Sequence, residues 1–115
     1  MTQLTNALDG VGLEYTYTDG SALEVTFHNG LIDYSWIRGP FQGTTGRDLA
    51  YQARSIAEGI YLVNFHLPEE GNFAALVVDL NGRVVMRSEL VGYKSGEPIT
   101  RFDVATITKA TGRHA

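Results

Sequence analysis

The chain has 115 residues, with 13 acidic and 9 basic side chains, a net charge of -4 and no cysteine. That length fits one domain over residues 1–115, with neither repeat nor linker, able to bury roughly two thirds of its unfolded surface. The composition excludes disulfides, thiolate catalysis and cysteine-ligated metals. The scattered basic residues exclude a sequence-independent nucleic-acid binder, and no apolar run reaches the roughly 18–20 residues of a membrane-spanning helix.

Met1 to Gly10 has neither a basic region nor an apolar stretch, so it does not read as a signal peptide, and a cytoplasmic protein is expected. Residues 2–9, TQLTNALD, are the one stretch where a short helix is expected. From there turn signals recur at short intervals: Asp19-Gly20, Asn29-Gly30, Glu58-Gly59, Asn81-Gly82 and the KSGEP segment from Lys94 to Pro98. Asn-Gly and Asp-Gly supply the positive φ angles of tight hairpins. The runs between them are rich in Val, Ile, Tyr, Phe and Thr, residues suited to a pleated, half-buried surface.

Eight strands are expected, at about 12–18, 22–28, 31–38, 49–57, 60–67, 72–80, 83–91 and 99–108. Leu13, Tyr15 and Tyr17 alternate with Glu14, Thr16 and Thr18; Leu23, Val25 and Phe27 alternate with Glu24, Thr26 and His28. Phe102 and Val104 alternate likewise with Arg101 and Asp103. Such a period of two puts one face of a strand in a core and the other in water. Eight hairpin-linked strands leave two open edges unless the sheet closes. An eight-stranded barrel is just wide enough for one small ligand. The fold class is therefore all-β, an antiparallel up-and-down barrel, with an open sandwich as the alternative. The long connection 39–48, GPFQGTTGRD, is expected to cover a barrel mouth.

Two stretches, LEYTYTDGSALEVTFHNGLIDY from Leu13 to Tyr34 and EGIYLVNFHLPEEGNFAALVVD from Glu58 to Asp79, carry a family resemblance. Their order of YTY strand, hairpin, IDY strand, G-x-x-x-G loop, EG-x-Y and aromatic-x-x-Pro strand end resembles the phenolic acid decarboxylases and the related MoaF-like domains. Both are small calycin, or lipocalin-like, barrels. The resemblance covers roughly residues 12–105 and implies a barrel with its ligand inside, often dimeric. It places Tyr15 and Tyr17 where the decarboxylases hold a substrate carboxylate. It puts Thr44 where those enzymes have a loop arginine, with Arg47 reaching that place only across a gap. Leu67 stands where they carry an acid/base glutamate, so their proton-handling group is missing here.

Chemistry on the residues themselves is compatible with this. Tyr15 and Tyr17, two apart on one strand, project their hydroxyls to one face and would donate to a carboxylate, enolate or carbonyl in a dry cavity. The plainer reading makes them core aromatics bonded to backbone or water. By the inward positions of the resemblance, Tyr34, Trp36, Tyr61, Phe65 and Leu67 line the cavity. Arg38 would sit at its mouth, either pairing with an anionic ligand or lying over the rim as an exposed arginine. The outward partners of the fifth-strand stripe, Ile60, Leu62, Asn64 and His66, are too apolar for a wet face: either the parity of this strand is reversed or a partner subunit covers it, in agreement with the homodimer the resemblance implies.

His28, His66 and His114 show no metal-site spacing, and no metal is expected. No G-x-S-x-G elbow marks a serine nucleophile, and the glycines at 39, 43 and 46 are followed by no helix that would make them a phosphate loop. The expected function is a cofactor-independent lyase, isomerase or cyclase step on a conjugated or aromatic small molecule, with Tyr15 and Tyr17 as oxyanion donors. The alternative is a non-catalytic lipocalin-like carrier of a hydrophobic ligand, and a third reading is a barrel filled by its own side chains.

Overall fold

The computed structural model describes residues 4–112. Eight strands close into one antiparallel barrel in sequence order: β1 (Gly12–Tyr17), β2 (Ala22–His28), β3 (Leu31–Arg38), β4 (Thr45–Ala57), β5 (Ile60–Leu67), β6 (Asn72–Asp79), β7 (Val84–Val91) and β8 (Ile99–Thr111). Closure comes from β8 pairing with β1, which leaves no strand edge open. The barrel rather than the sandwich is the fold.

The turn signals fall where hairpins form. Asn29 and Gly30 both adopt positive φ, 50° and 77°, as a two-residue hairpin turn with the right-handed strand twist requires. Two boundaries differ from the sequence reading. β4 begins at Thr45, so the β3–β4 loop is only 39–44, and β8 runs on to Thr111. In β4, Asp48 has a φ of 55° and forms a bulge opposite Asp33; the glycines and the odd residue hide this strand start from a pattern of alternation.

The two ends of the barrel are unlike. One end carries the tight turns at 29–30 and 58–59 and is plugged by the N-terminal segment. The helix expected over 2–9 does not form in its described part: Leu4 bridges to Arg54, and residues 7–10 make a turn. Leu8 and Val11 are fully buried there. A segment this short gains little from helical hydrogen bonds, and burying Leu8 in the barrel end outweighs them. Asp9 fastens the plug, accepting hydrogen bonds from the Tyr51 hydroxyl (2.6 Å) and the Gly30 amide. The other end carries the loops 18–21, 39–44, 68–71 and 92–98, and this is where the interior opens.

Candidate functional site

The core fills the plugged half with Leu13, Val25, Phe27, Ile32, Val63 and Val85. Toward the open end the filling stops, leaving a cavity of about 170 Å³. An apolar cavity of about 150 Å³ accepts a benzene-sized guest. The space therefore suits a single ring with a short substituent.

One wall is aromatic. Tyr15 and Tyr17 meet edge to face at 5.8 Å, Tyr17 stacks with Trp36 at 6.2 Å, and Trp36 meets Phe41 of the 39–44 loop at 5.6 Å. Tyr34 and Phe65 face one another at 6.4 Å across the opening. Tyr34 lies so close over Gly46 that a Cβ there would stand 2.3 Å from its ring, so glycine makes room for this wall. Burial pushes the hydroxyl pKa values of Tyr15, Tyr17 and Tyr34 upward, with Arg87 opposing the shift at Tyr15 and Tyr17. These phenols stay protonated and can donate hydrogen bonds.

The facing wall is ionic, built by the inward positions of β7 and β8. Arg87 lies directly across from Asp103, and Glu89 across from Arg101. Arg87 Nε and Nη2 donate to the two Asp103 carboxylate oxygens at 2.8 and 2.7 Å, a bidentate fork. Its Nη1 lies 3.5 Å from Glu89 Oε1, and its Cζ stands 4.1 Å over the Tyr17 ring. Burial works against this guanidinium, but the bonds to Asp103 and the nearby Tyr17 and Glu89 hold its pKa above the usual value. Burial raises the Glu89 carboxyl above the ordinary glutamate range by more than Arg87 and Arg101 lower it. Arg101 lies at the mouth with its Cζ 5.4 Å from the Phe41 ring centre, and no carboxylate among the described residues pairs with it within 4 Å.

The residues singled out from sequence divide cleanly. Tyr15, Tyr17, Tyr34, Trp36, Phe65 and Leu67 all line the cavity. Tyr61 is buried in the core outside it. Arg38 turns outward, donating to Thr16 Oγ1 at 3.3 Å, because a bulge between Trp36 and Arg38 reverses the alternation there. Arg47 is also outside, 3.7 Å from Asp33, whereas Thr44 is on the cavity wall. His66 faces outward against the Tyr93 hydroxyl. His114 lies outside the described residues.

The sequence reading places none of Arg87, Glu89, Arg101 and Asp103 in the cavity; it sets Arg101 and Asp103 on the face opposite Phe102 and Val104. Their alternation with Met86, Ser88, Leu90, Phe102 and Val104 is plain, but alternation does not say which face is inside. The parity of Val85, Ala105 and Ile107, all buried, assigns the charged set to the interior.

One further polar cluster sits on the outer surface. His28 Nε2 lies 3.2 Å from Asp33 Oδ2 and 3.8 Å from Asp48 Oδ1, and the three groups could share a cation. Asp33 already accepts the Asp48 amide at 2.7 Å and pairs with Arg47; the amide bond and His28 hold its carboxyl below the usual pKa despite burial. Its charge is thus countered without a metal.

Comparison with known proteins follows this geometry. Residues 1–90 match the model of the MoaF N-terminal domain. No curated protein matches the chain. Among solved structures, a candidate beta-lactamase from Burkholderia vietnamiensis superposes with a TM-score of 0.77 at 16% identity, over 90% of this chain and 95% of that one. At that identity the likeness is one of fold. The family match spans most of the chain, from the plugging segment through β7, and on it the chain belongs to the MoaF N-terminal domain family.

Proposed function

We propose that the barrel binds a single-ring aromatic or conjugated acid or ketone and acts on it as a cofactor-independent lyase or isomerase. The observation that carries this reading is the cavity of about 170 Å³ between phenol donors on one side and an ion-paired wall on the other. Tyr15 and Tyr17 supply hydrogen bonds to a developing oxyanion, which are worth most in a dry site. Arg101 is the cation available to an acid group at the mouth, since Arg87 is already engaged by Asp103. The wall also holds a carboxyl that can take up or give a proton, Glu89, on a different strand from Leu67. This is how a site resembling the phenolic acid decarboxylases would manage a proton without their glutamate. The setting proposed is the cytoplasm, in keeping with a chain free of cysteine.

A second reading, a non-catalytic carrier, is favoured by the Asp103 fork, which restrains Arg87 from following a reacting group. Trp36 reports on both, being the chain's sole tryptophan and part of the cavity wall. Its fluorescence is to be titrated with hydroxycinnamates and matching neutral aldehydes. Saturable quenching that weakens in Tyr17→Phe, with loss of the acids' preference in Arg101→Ala, supports the binding mode. Turnover of a bound acid that stops in Glu89→Gln while quenching persists separates enzyme from carrier. No quenching by any probe, with Trp36 shielded from acrylamide, would mean a filled barrel and sink the proposal.

A further inference from the structure

One row of side chains crosses β5 to β8 beside the cavity: Phe65 pairs with Ala74, Ala74 with Glu89, and Glu89 with Arg101. All four line the cavity, and only the methyl of Ala74 stands between the Phe65 ring and the Glu89 carboxyl. The Glu89 side chain is 16% exposed, and its one ion-pair contact among the described residues is Arg87 Nη1 at 3.5 Å. Arg87 in turn is committed to the Asp103 fork. The Glu89 carboxyl therefore keeps hydrogen-bonding capacity that the wall does not use. With Glu89 ionised, Arg87 and Arg101 balance Asp103 and Glu89, and the wall is neutral. A ligand carboxylate drawn to Arg101 would then bring an uncompensated negative charge into a largely buried space, which is unfavourable. Two carboxyl groups brought together in such a site hold one proton between them.

We propose that the cavity takes a carboxylic acid as its anion together with one proton from solvent, and that Glu89 holds this proton against the ligand carboxylate beside Arg101. This rests on the reading of the cavity as an acid site and adds the charge state in which the acid is held. The Glu89 hydroxyl donates to a ligand oxygen, a charge-assisted bond of the short, strong kind. The other groups facing Glu89 do not take the proton. Tyr15 and Tyr17 on β1 and Tyr34 on β3 already carry theirs. On β8, Asp103 has both oxygens taken by Arg87. From β5 and β6 the cavity is lined by Phe65, Leu67, Asn72, Ala74 and Leu76, none of them ionisable. Glu70 of the 68–71 loop acts on Tyr34 but is exposed. By proton linkage, the bound anion raises the Glu89 pKa above its value in the free protein. Affinity is then greatest below the free-protein value, falls by up to about tenfold per pH unit between the two values, and levels off above the higher one.

The test is isothermal titration calorimetry of the full chain with cinnamate, whose carboxylate is its only ionisable group, and with neutral cinnamamide. Both are titrated from about pH 6 to about pH 8, where a carboxylate is ionised, in paired buffers of different ionisation enthalpy. The expected result is net proton uptake on binding cinnamate, with affinity falling as pH rises, and neither effect for cinnamamide. Glu89→Gln, which keeps the shape of the side chain, should abolish the uptake and bind cinnamate more tightly than the wild type at the upper pH. Cinnamate binding without proton uptake, or uptake that survives Glu89→Gln, overturns the proposal. Binding of cinnamamide but not cinnamate also overturns it while leaving a cavity for neutral rings. Binding of neither probe overturns the reading of the cavity as well.

Discussion

Arg87 is at once an ion-pair partner in the barrel wall and a lining residue of the cavity. Its side chain is only 9% exposed, and it keeps its charge by giving two hydrogen bonds to Asp103 and facing Glu89 and the Tyr17 ring. Arg87→Met would leave the Asp103 carboxylate without its fork. A fully buried broken pair costs about 3–5 kcal/mol, but Asp103 keeps access to water, so about 1–3 kcal/mol is expected in urea unfolding. Glu89 faces Arg87, Arg101 and Asp103 across the wall, and burial dominates its shift. A carboxyl with a raised folded-state pKa keeps its proton in the native state after the unfolded chain has lost it. Stability therefore falls as pH rises from the ordinary glutamate value of about 4.3 toward the raised one, then levels off. Carbon-13 titration of the Glu89 carboxyl should give a midpoint above that ordinary value, and Glu89→Gln should remove its share of the pH slope. A midpoint at or below the ordinary value would contradict the assignment.

Pairing between strands decides what their side chains can do. On β1 and β2 the apolar set goes inward, as their alternation suggests; on β7 and β8 the same kind of alternation is reversed, with Phe102 out and Asp103 in. The reversal is stable because Arg87 meets Asp103 and Glu89 meets Arg101 directly across the ladder, where opposite charges favour each other. Arg38 fails to reach the cavity for a reason of the same kind, one extra residue in the β2–β3 ladder. β3 and β4 show how close the fit is at Gly46. Gly46→Ala would drive a methyl into the Tyr34 ring and push it toward the cavity. Overpacking of this sort costs about 1–3 kcal/mol. The expected outcome is a lower thermal midpoint together with weaker quenching of Trp36 by hydroxycinnamates. Unchanged binding with a normal midpoint would show that the ring swings freely.

At the scale of the whole molecule the barrel is polar in a geometric sense, shut at one end and open at the other. The shut end depends on Leu8, Val11 and the Asp9 bonds to Tyr51 and Gly30 rather than on a strand. Leu8→Ala should cost about 2–5 kcal/mol and, by loosening the plug, speed hydrogen exchange in β2–β4 near the turn at 29–30 before it affects the mouth. Equal exchange at both ends would mean the plug is not a cooperative part of the barrel. The closed arrangement of eight strands makes both the shut core and the cavity at the open end.

The sequence by itself determined the number of strands and most of their limits, while the pairing of β8 with β1 decided between a closed barrel and an open sandwich. Hairpin turns and a period of two are local signals, carried by residues such as Asn29-Gly30 and Leu23-Val25-Phe27. Alternation on the first strand put Tyr15 and Tyr17 on its apolar face, whereas Tyr34 and Trp36 were placed inward by the family resemblance, because the third strand mixes polar and apolar residues on both faces. Only the tertiary structure decided that Arg87, Glu89, Arg101 and Asp103 point inward, that Arg38 and Arg47 do not, and that residues 4–11 plug an end instead of forming a helix. Period two gives two equivalent faces, a single bulge exchanges them, and which face is buried depends on neighbours brought together from across the chain.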